Sequence, residues 1–136
     1  MIIYIADFNL PNTSAYSQHV LKMCDAFRQH DKDLNLIIPY KNKFLNFKNI
    51  KKDYLLKNNF KIKNFSNTKI NNKILKIIFF LSTLFFLKNK NYKKNLIITR
   101  IPLLSLLMSI AGIKNVLEIH QDFHGISKLL FNIFFY

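Results

Sequence analysis

The sequence predicts an α/β fold, a parallel sheet flanked by helices, and three observations carry that expectation. Short runs rich in Ile and Leu recur along the chain: IIYIA (2–6), LNLII (34–38), NLIIT (95–99) and NVLEIH (115–120). Several are apolar at consecutive positions, as in strands buried on both faces, where one wet face would impose alternation. Stretches with helical spacing or helical punctuation lie between them. The polar, irregular residues gather just after the apolar runs, at 7–14, 39–41, 100–102 and 118–124, which places them along one edge of such a sheet.

Taken in order, IIYIA is the first strand. A helix is expected from Ser14, because Tyr16, Val20, Cys24 and Phe27 recur at spacings of four, four and three and make one apolar stripe. Thr13 or Ser14 caps it, and Arg28 to His30 supply the basic groups that suit its C-terminus. LNLII follows as a strand closed by Pro39. Residues 40–73 are rich in Lys and Asn and hold no sustained period; only FKIKNF (60–65) alternates enough to suggest a strand. KILKIIFFLSTLFFLKNK (73–90) reads as a helix that is apolar nearly all round. Its uncharged stretch from 77 to 87 is too short for a bilayer, which takes about 20 apolar residues. It is expected to pack into the core with a basic flank, the alternative being a helix lying in a membrane interface. After NLIIT, Pro102 is well placed in a first helical turn, and Gly112 ends the short apolar helix PLLSLLMSIAG. NVLEIH is the last strand, QDFHG (121–125) a polar loop, and ISKLLFNIFFY runs apolar to residue 136.

A chain of 136 residues with half of them apolar suits one domain with a real core. The single cysteine, Cys24, excludes an internal disulfide and suits a reducing, cytoplasmic setting; no signal-peptide pattern opens the sequence. The formal net charge of +14 invites nucleic acid or an anionic membrane as partner. Yet Arg28 and Arg100 are the only arginines, and arginine is the residue that reads bases and phosphates through forked hydrogen bonds. Nucleic acid is therefore not the expected partner. The Lys, Asn, Ile and Phe bias also has the look of A/T-rich coding.

Three segments in this order, ADFNLPNTSAYSQHVLKMCDAF (6–27), LIITRIPLLSLLMSIAG (96–112) and VLEIHQDFH (116–124), resemble the N-terminal half of glycosyltransferase family 4 enzymes of the GT-B fold. The likeness covers roughly 1–40 and 95–125 and rests on order and spacing: a strand and loop, a helix carrying a His, a strand ending in Thr-Arg, and a strand ending in Glu-X-His. It implies a single Rossmann-like acceptor-side domain over 1–136, with 40–73 a divergent, insert-like region. It also implies a glycan or lipid-linked acceptor, and a nucleotide-sugar donor held by a separate C-terminal domain. The family's donor-side glutamate pair has no counterpart, and the chain ends inside an apolar pattern, so a truncation before the donor-binding domain is expected. No cofactor and no metal are expected in this chain, which is expected to be inactive alone. The cellular setting implied is cytoplasmic, with peripheral contact on the anionic inner face of a membrane. The runner-up is a small basic membrane-associated protein without catalytic activity.

The residues the resemblance brings to a site are His120, as the catalytic group, and Asn12, Thr13, Ser14, Tyr16, His19, Arg100 and Glu118, as substrate-binding groups. Each also has a plainer reading. Asn12, Thr13 and Ser14 are the usual helix caps. Tyr16 and His19 are as readily packing residues. Arg100 either pairs with an acid, Glu118 being the candidate, or meets a phosphate or an acceptor. Glu118 and His120 fall on one face of a strand and can orient each other. His120, Asp122 and His124 have loose metal-ligand spacing, but without cysteine they make a weak zinc case. Many family members carry paired glycines after the first strand; Asn12-Thr13-Ser14-Ala15 stands there instead, leaving hydroxyl and N–H groups at the helix start to meet a ligand.

Overall fold

The structure is a computed structural model, and it describes residues 1–30, 33–89 and 95–119. Six strands and four helices alternate along it: β1 (Ile2–Ile5), β2 (Asn9–Leu10), α1 (Ala15–His30), β3 (Leu34–Lys41), α2 (Phe47–Asp53), β4 (Lys61–Ser66), α3 (Lys73–Asn89), β5 (Leu96–Thr99), α4 (Pro102–Ile110) and β6 (Val116–Leu117). Every strand pairing is parallel. This is the α/β, Rossmann-like architecture that the apolar runs predict.

The register sets the strand order. β1 lies between β3 (Ile2 opposite Leu34) and β5 (Ile2 opposite Leu96), and β6 pairs with β5 on its far side. Tyr40 of β3 pairs with both Asn9 of β2 and Ser66 of β4, so β2 and β4 flank opposite edges of β3. β2 thus continues β1 along the same edge, after an irregular step at residues 6–8. The sheet runs β4, β3, β1 with β2, β5, β6. From β1 the chain builds outward through β3 to β4, then crosses back over the sheet with α3 to lay β5 on the other side of β1. The order reverses between β1 and β5, the crevice where open α/β sheets bind ligands.

The isoleucine runs form strands because both of their faces are covered. On one face Ile2, Tyr4, Leu36, Ile38 and Ile98 pack against Val20, Leu21 and Cys24 of α1 and Ile50 of α2. On the other Ile3, Ile5, Ile37 and Ile97 pack against Phe79, Phe80 and Leu87 of α3 and Leu104 and Met108 of α4. Each such buried side chain contributes about 1.5–3 kcal/mol relative to exposure.

The helix ends follow their chemistry. Ser14 caps α1: its Oγ accepts from the Ser17 N–H at 3.2 Å, and its carbonyl accepts from the Gln18 N–H at 3.1 Å. Pro102 opens α4, and Gly112 closes it at φ +72°. The Gly112 N–H then bonds the Ser109 carbonyl and the Ile113 N–H bonds that of Met108, a Schellman closure.

Three expectations need correction. Pro39 does not close β3, which runs on to Lys41. The missing N–H falls where the β1 ladder has ended at Ile37, the β2 ladder has yet to begin at Tyr40, and the β4 ladder skips a residue. Residues 40–73 hold the strand expected at FKIKNF, observed as β4 paired in parallel with β3, but also a helix that no period announced: α2, capped by the Asn46 side chain on the Asn49 N–H. Finally, α3 is a core helix on one side only. Phe79, Phe80, Thr83 and Leu87 are buried, whereas Ile74, Ile77, Ile78, Leu81 and Phe85 lie on the surface. No helix among the described residues is long and apolar enough to cross a membrane.

Candidate functional site

The carboxyl end of β1 brings the start of α1, the β1–β2 step and the approach to α3 together. Here lies a cleft of about 410 Å³, lined among others by Asp7, Asn9, Asn12, Tyr16, Asn71 and Lys76. Asp7 sits at its centre of charge. The Tyr16 hydroxyl donates to Asp7 Oδ1 at 3.1 Å, and Lys76 Nζ of α3 pairs with Asp7 Oδ2 at 3.1 Å. Burial, then the Asp7 carboxylate, pushes the Tyr16 phenol above its ordinary pKa, so it remains a neutral donor. One wall is pinned by Asn9, whose carboxamide accepts from the Ile70 N–H and donates to the Ile70 carbonyl, both at 3.1 Å.

The Tyr16 ring also receives Arg100. The guanidinium carbon stands 4.9 Å from the ring centroid, and Arg100 Nη1 lies 3.4 Å from His19 Nδ1. A guanidinium over an aromatic face is held in place while its N–H groups stay available to acceptors. Tyr16 thus joins two parts: the Asp7–Lys76 cleft, and a ridge of the Arg100 guanidinium and His19 that does not line that cleft.

Glu118 follows β6 and keeps the sheet going by one bond, its N–H donating to the Thr99 carbonyl at 2.8 Å. Its carboxylate accepts a hydrogen bond from the hydroxyl of Tyr4, a fully buried residue of β1. Burial, followed by the Glu118 hydrogen bond and charge, pushes the Tyr4 phenol far up. The carboxylate that the sequence makes one of the candidate partners for Arg100 thus accepts from a buried hydroxyl of β1.

The polar loop after β1 is built largely for its own turn. The Asn12 Oδ1 accepts from the Ser14 N–H at 2.8 Å, and its carbonyl accepts from the Tyr54 hydroxyl at 2.6 Å. Ser14 caps α1, and Thr13, exposed, lends its carbonyl to Gln18 Nε2 at 3.1 Å. Asn12 still lines the cleft; Thr13 and Ser14 do not. Tyr16, His19 and Arg100 are brought together, and Glu118 stands on the neighbouring strand. His120, Asp122 and His124 lie outside the described residues. Among the described residues no group of three His, Cys, Asp or Glu side chains is placed to hold a metal ion.

Sequence reasoning missed Asp7 and Lys76 as a pair, and Tyr4 as the partner of Glu118. Asp7 carried a signal, as the first polar residue after β1; Lys76, one of the lysines flanking the apolar stretch 77–87, carried none that set it apart. A larger hollow of about 720 Å³ opens at the opposite, amino edge of the sheet, among Arg28, Asp33, Lys48, Lys51 and Lys61. Size favours it, but the carboxyl edge has the crevice created by the reversal of strand order, and the smaller cleft there is the better site. No protein-family model, curated protein or solved structure matches the chain.

Proposed function

We propose that the chain is the acceptor-side domain of a glycosyltransferase, which receives a glycan or lipid-linked acceptor while a donor-binding domain elsewhere supplies the nucleotide-sugar. The observation that supports this most is the convergence of Asp7, Tyr16, Lys76, Arg100 and His19 on the reversal point between β1 and β5. The chemistry suits a polyhydroxylated, anion-bearing ligand. Carboxylate and carboxamide groups accept from and donate to sugar hydroxyls, the Tyr16 hydroxyl, its proton given to Asp7, offers lone pairs as an acceptor, and the Arg100 guanidinium answers a phosphate. On this reading the chain's residues bind and orient the acceptor. His120, outside the described residues, enters as the catalytic candidate through the resemblance alone.

The test is a backbone amide NMR titration of the chain with oligosaccharides and with short-chain polyprenyl-phosphate sugars. Shifts confined to residues 7–19, 71–76 and 99–101 are expected. Absence of any shift at millimolar ligand would refute the proposal. The apolar outer face of α3 favours a second reading, a membrane-associated protein without catalysis; lipid binding with no response to any sugar would select it.

A further inference from the structure

We infer that the outward face of α3 is a docking surface for an anionic lipid bilayer, met side-on with the helix axis parallel to the membrane. This holds whether or not the sugar-transfer reading does. The surface has one defining geometry. At 3.6 residues per turn, Ile74, Ile77, Ile78, Leu81 and Phe85 fall within an arc of about 100°, opposite Phe79, Phe80, Thr83 and Leu87. They are between 48% and 68% exposed. The helix cannot roll to hide them, because its other face is committed to Ile37, Ile97 and Leu104. A surface stripe of this size on one helix marks an interaction site.

Charge identifies the occupant. The sequence has no acidic residue between Asp53 and Glu118, against twelve lysines and arginines. Lys73 opens α3 and Lys88, near its end, continues the same arc as the stripe; both are exposed. A second copy seated on this face would bring these lysines together with no carboxylate on either helix to answer them. A folded protein partner would find Lys88 as the one hydrogen-bonding side chain among the residues placed on that arc, whereas such interfaces carry about ten direct hydrogen bonds. Hydrocarbon requires none, and anionic headgroups answer the lysines. At 17 residues α3 is a surface element and not a span.

The experiment is vesicle flotation of the full chain, using phosphatidylcholine alone and with roughly 30 mol % phosphatidylglycerol. Binding is expected only to the anionic vesicles, with release at about 0.5 M salt. Leu81→Asp and Phe85→Asp should each weaken partitioning at least tenfold, and Lys88→Gln about fivefold. Phe44→Asp, changing a 92% exposed apolar residue away from α3, should leave it unchanged. Because the substituted side chains are at the surface, circular dichroism should show each variant folded. Binding that is insensitive to Leu81→Asp and Phe85→Asp would overturn the inference, as would no binding to anionic vesicles. A dimer dissolved by Leu81→Asp, without lipid binding, would give the face to a second copy instead.

Discussion

Removing the Asp25 carboxylate should cost more stability than any other single polar substitution on α1. Asp25 is buried, facing the turn that follows α2. Its carboxylate accepts from the Lys57 N–H at 3.1 Å, the Asn58 N–H at 2.7 Å and Asn58 Nδ2 at 3.1 Å. These bonds tie α1 to the segment that leads into β4. Hydrogen bonds to a charged acceptor contribute about 1.5–3 kcal/mol each, but the 57–58 backbone can regain some water when the acceptor is lost. The net loss in Asp25→Ala is therefore about 3 kcal/mol. In urea, with a slope of about 1.5 kcal/mol/M, the midpoint should fall by about 2 M with the slope unchanged. The pH dependence gives an independent check. Burial alone would raise the carboxyl pKa; the Lys57 and Asn58 backbone N–H groups, the Asn58 amide and then Lys22 overcome it and hold the group below its ordinary 3.8. A lowered folded-state value stabilises the fold above 3.8, and the contribution is lost as pH falls through the lowered value. Asp25→Ala should flatten that acid limb. A midpoint within about 0.3 M of the wild type would refute the reasoning.

Two further substitutions should raise stability. Leu55 closes α2 at φ +52°, where the Leu55 and Leu56 N–H groups bond the Lys52 and Lys51 carbonyls. Its side chain is exposed, so Leu55→Gly should gain about 1 kcal/mol by relieving the left-handed backbone, read as a higher urea midpoint; a loss would contradict this. Thr83 is buried, and its hydroxyl has no hydrogen-bond partner among the described residues. Thr83→Val should gain about 1 kcal/mol, or about 4 °C in thermal unfolding, and a lower midpoint would mean that the hydroxyl is satisfied.

What could be read from the sequence depended on whether a residue's partner was near in the chain. β1, β3 and β5 were legible because burial on both faces leaves an unbroken isoleucine run. The start of α1 and both ends of α4 were legible because Ser14, Pro102 and Gly112 act on backbone groups beside them. The same Schellman closure ends α2, but Leu55 stands where Gly112 stands in α4, so the stop was invisible. α2 also buries only Ile50 and shows no stripe. An all-round apolar helix reads as core; nothing local in 73–90 says that the sheet covers only one side. The site followed the same rule. Strand ends at one edge were foreseeable, and Tyr16, His19 and Arg100 do meet there. The Asp7–Lys76 pair spans 69 positions and Tyr4–Glu118 spans 114, distances that no periodicity encodes.

The central claim is that the crevice between β1 and β5 receives the acceptor, and acceptor affinity in edge-directed variants tests it most directly. With an oligosaccharide or polyprenyl-phosphate sugar that binds the wild type, calorimetry should show Arg100→Ala and Asp7→Asn each weakening affinity about tenfold, one charged hydrogen bond apiece. Lys51→Ala, at the amino-edge hollow, should leave affinity unchanged. Affinity lost in Lys51→Ala and retained in Arg100→Ala and Asp7→Asn would put the ligand on the opposite edge and contradict the account.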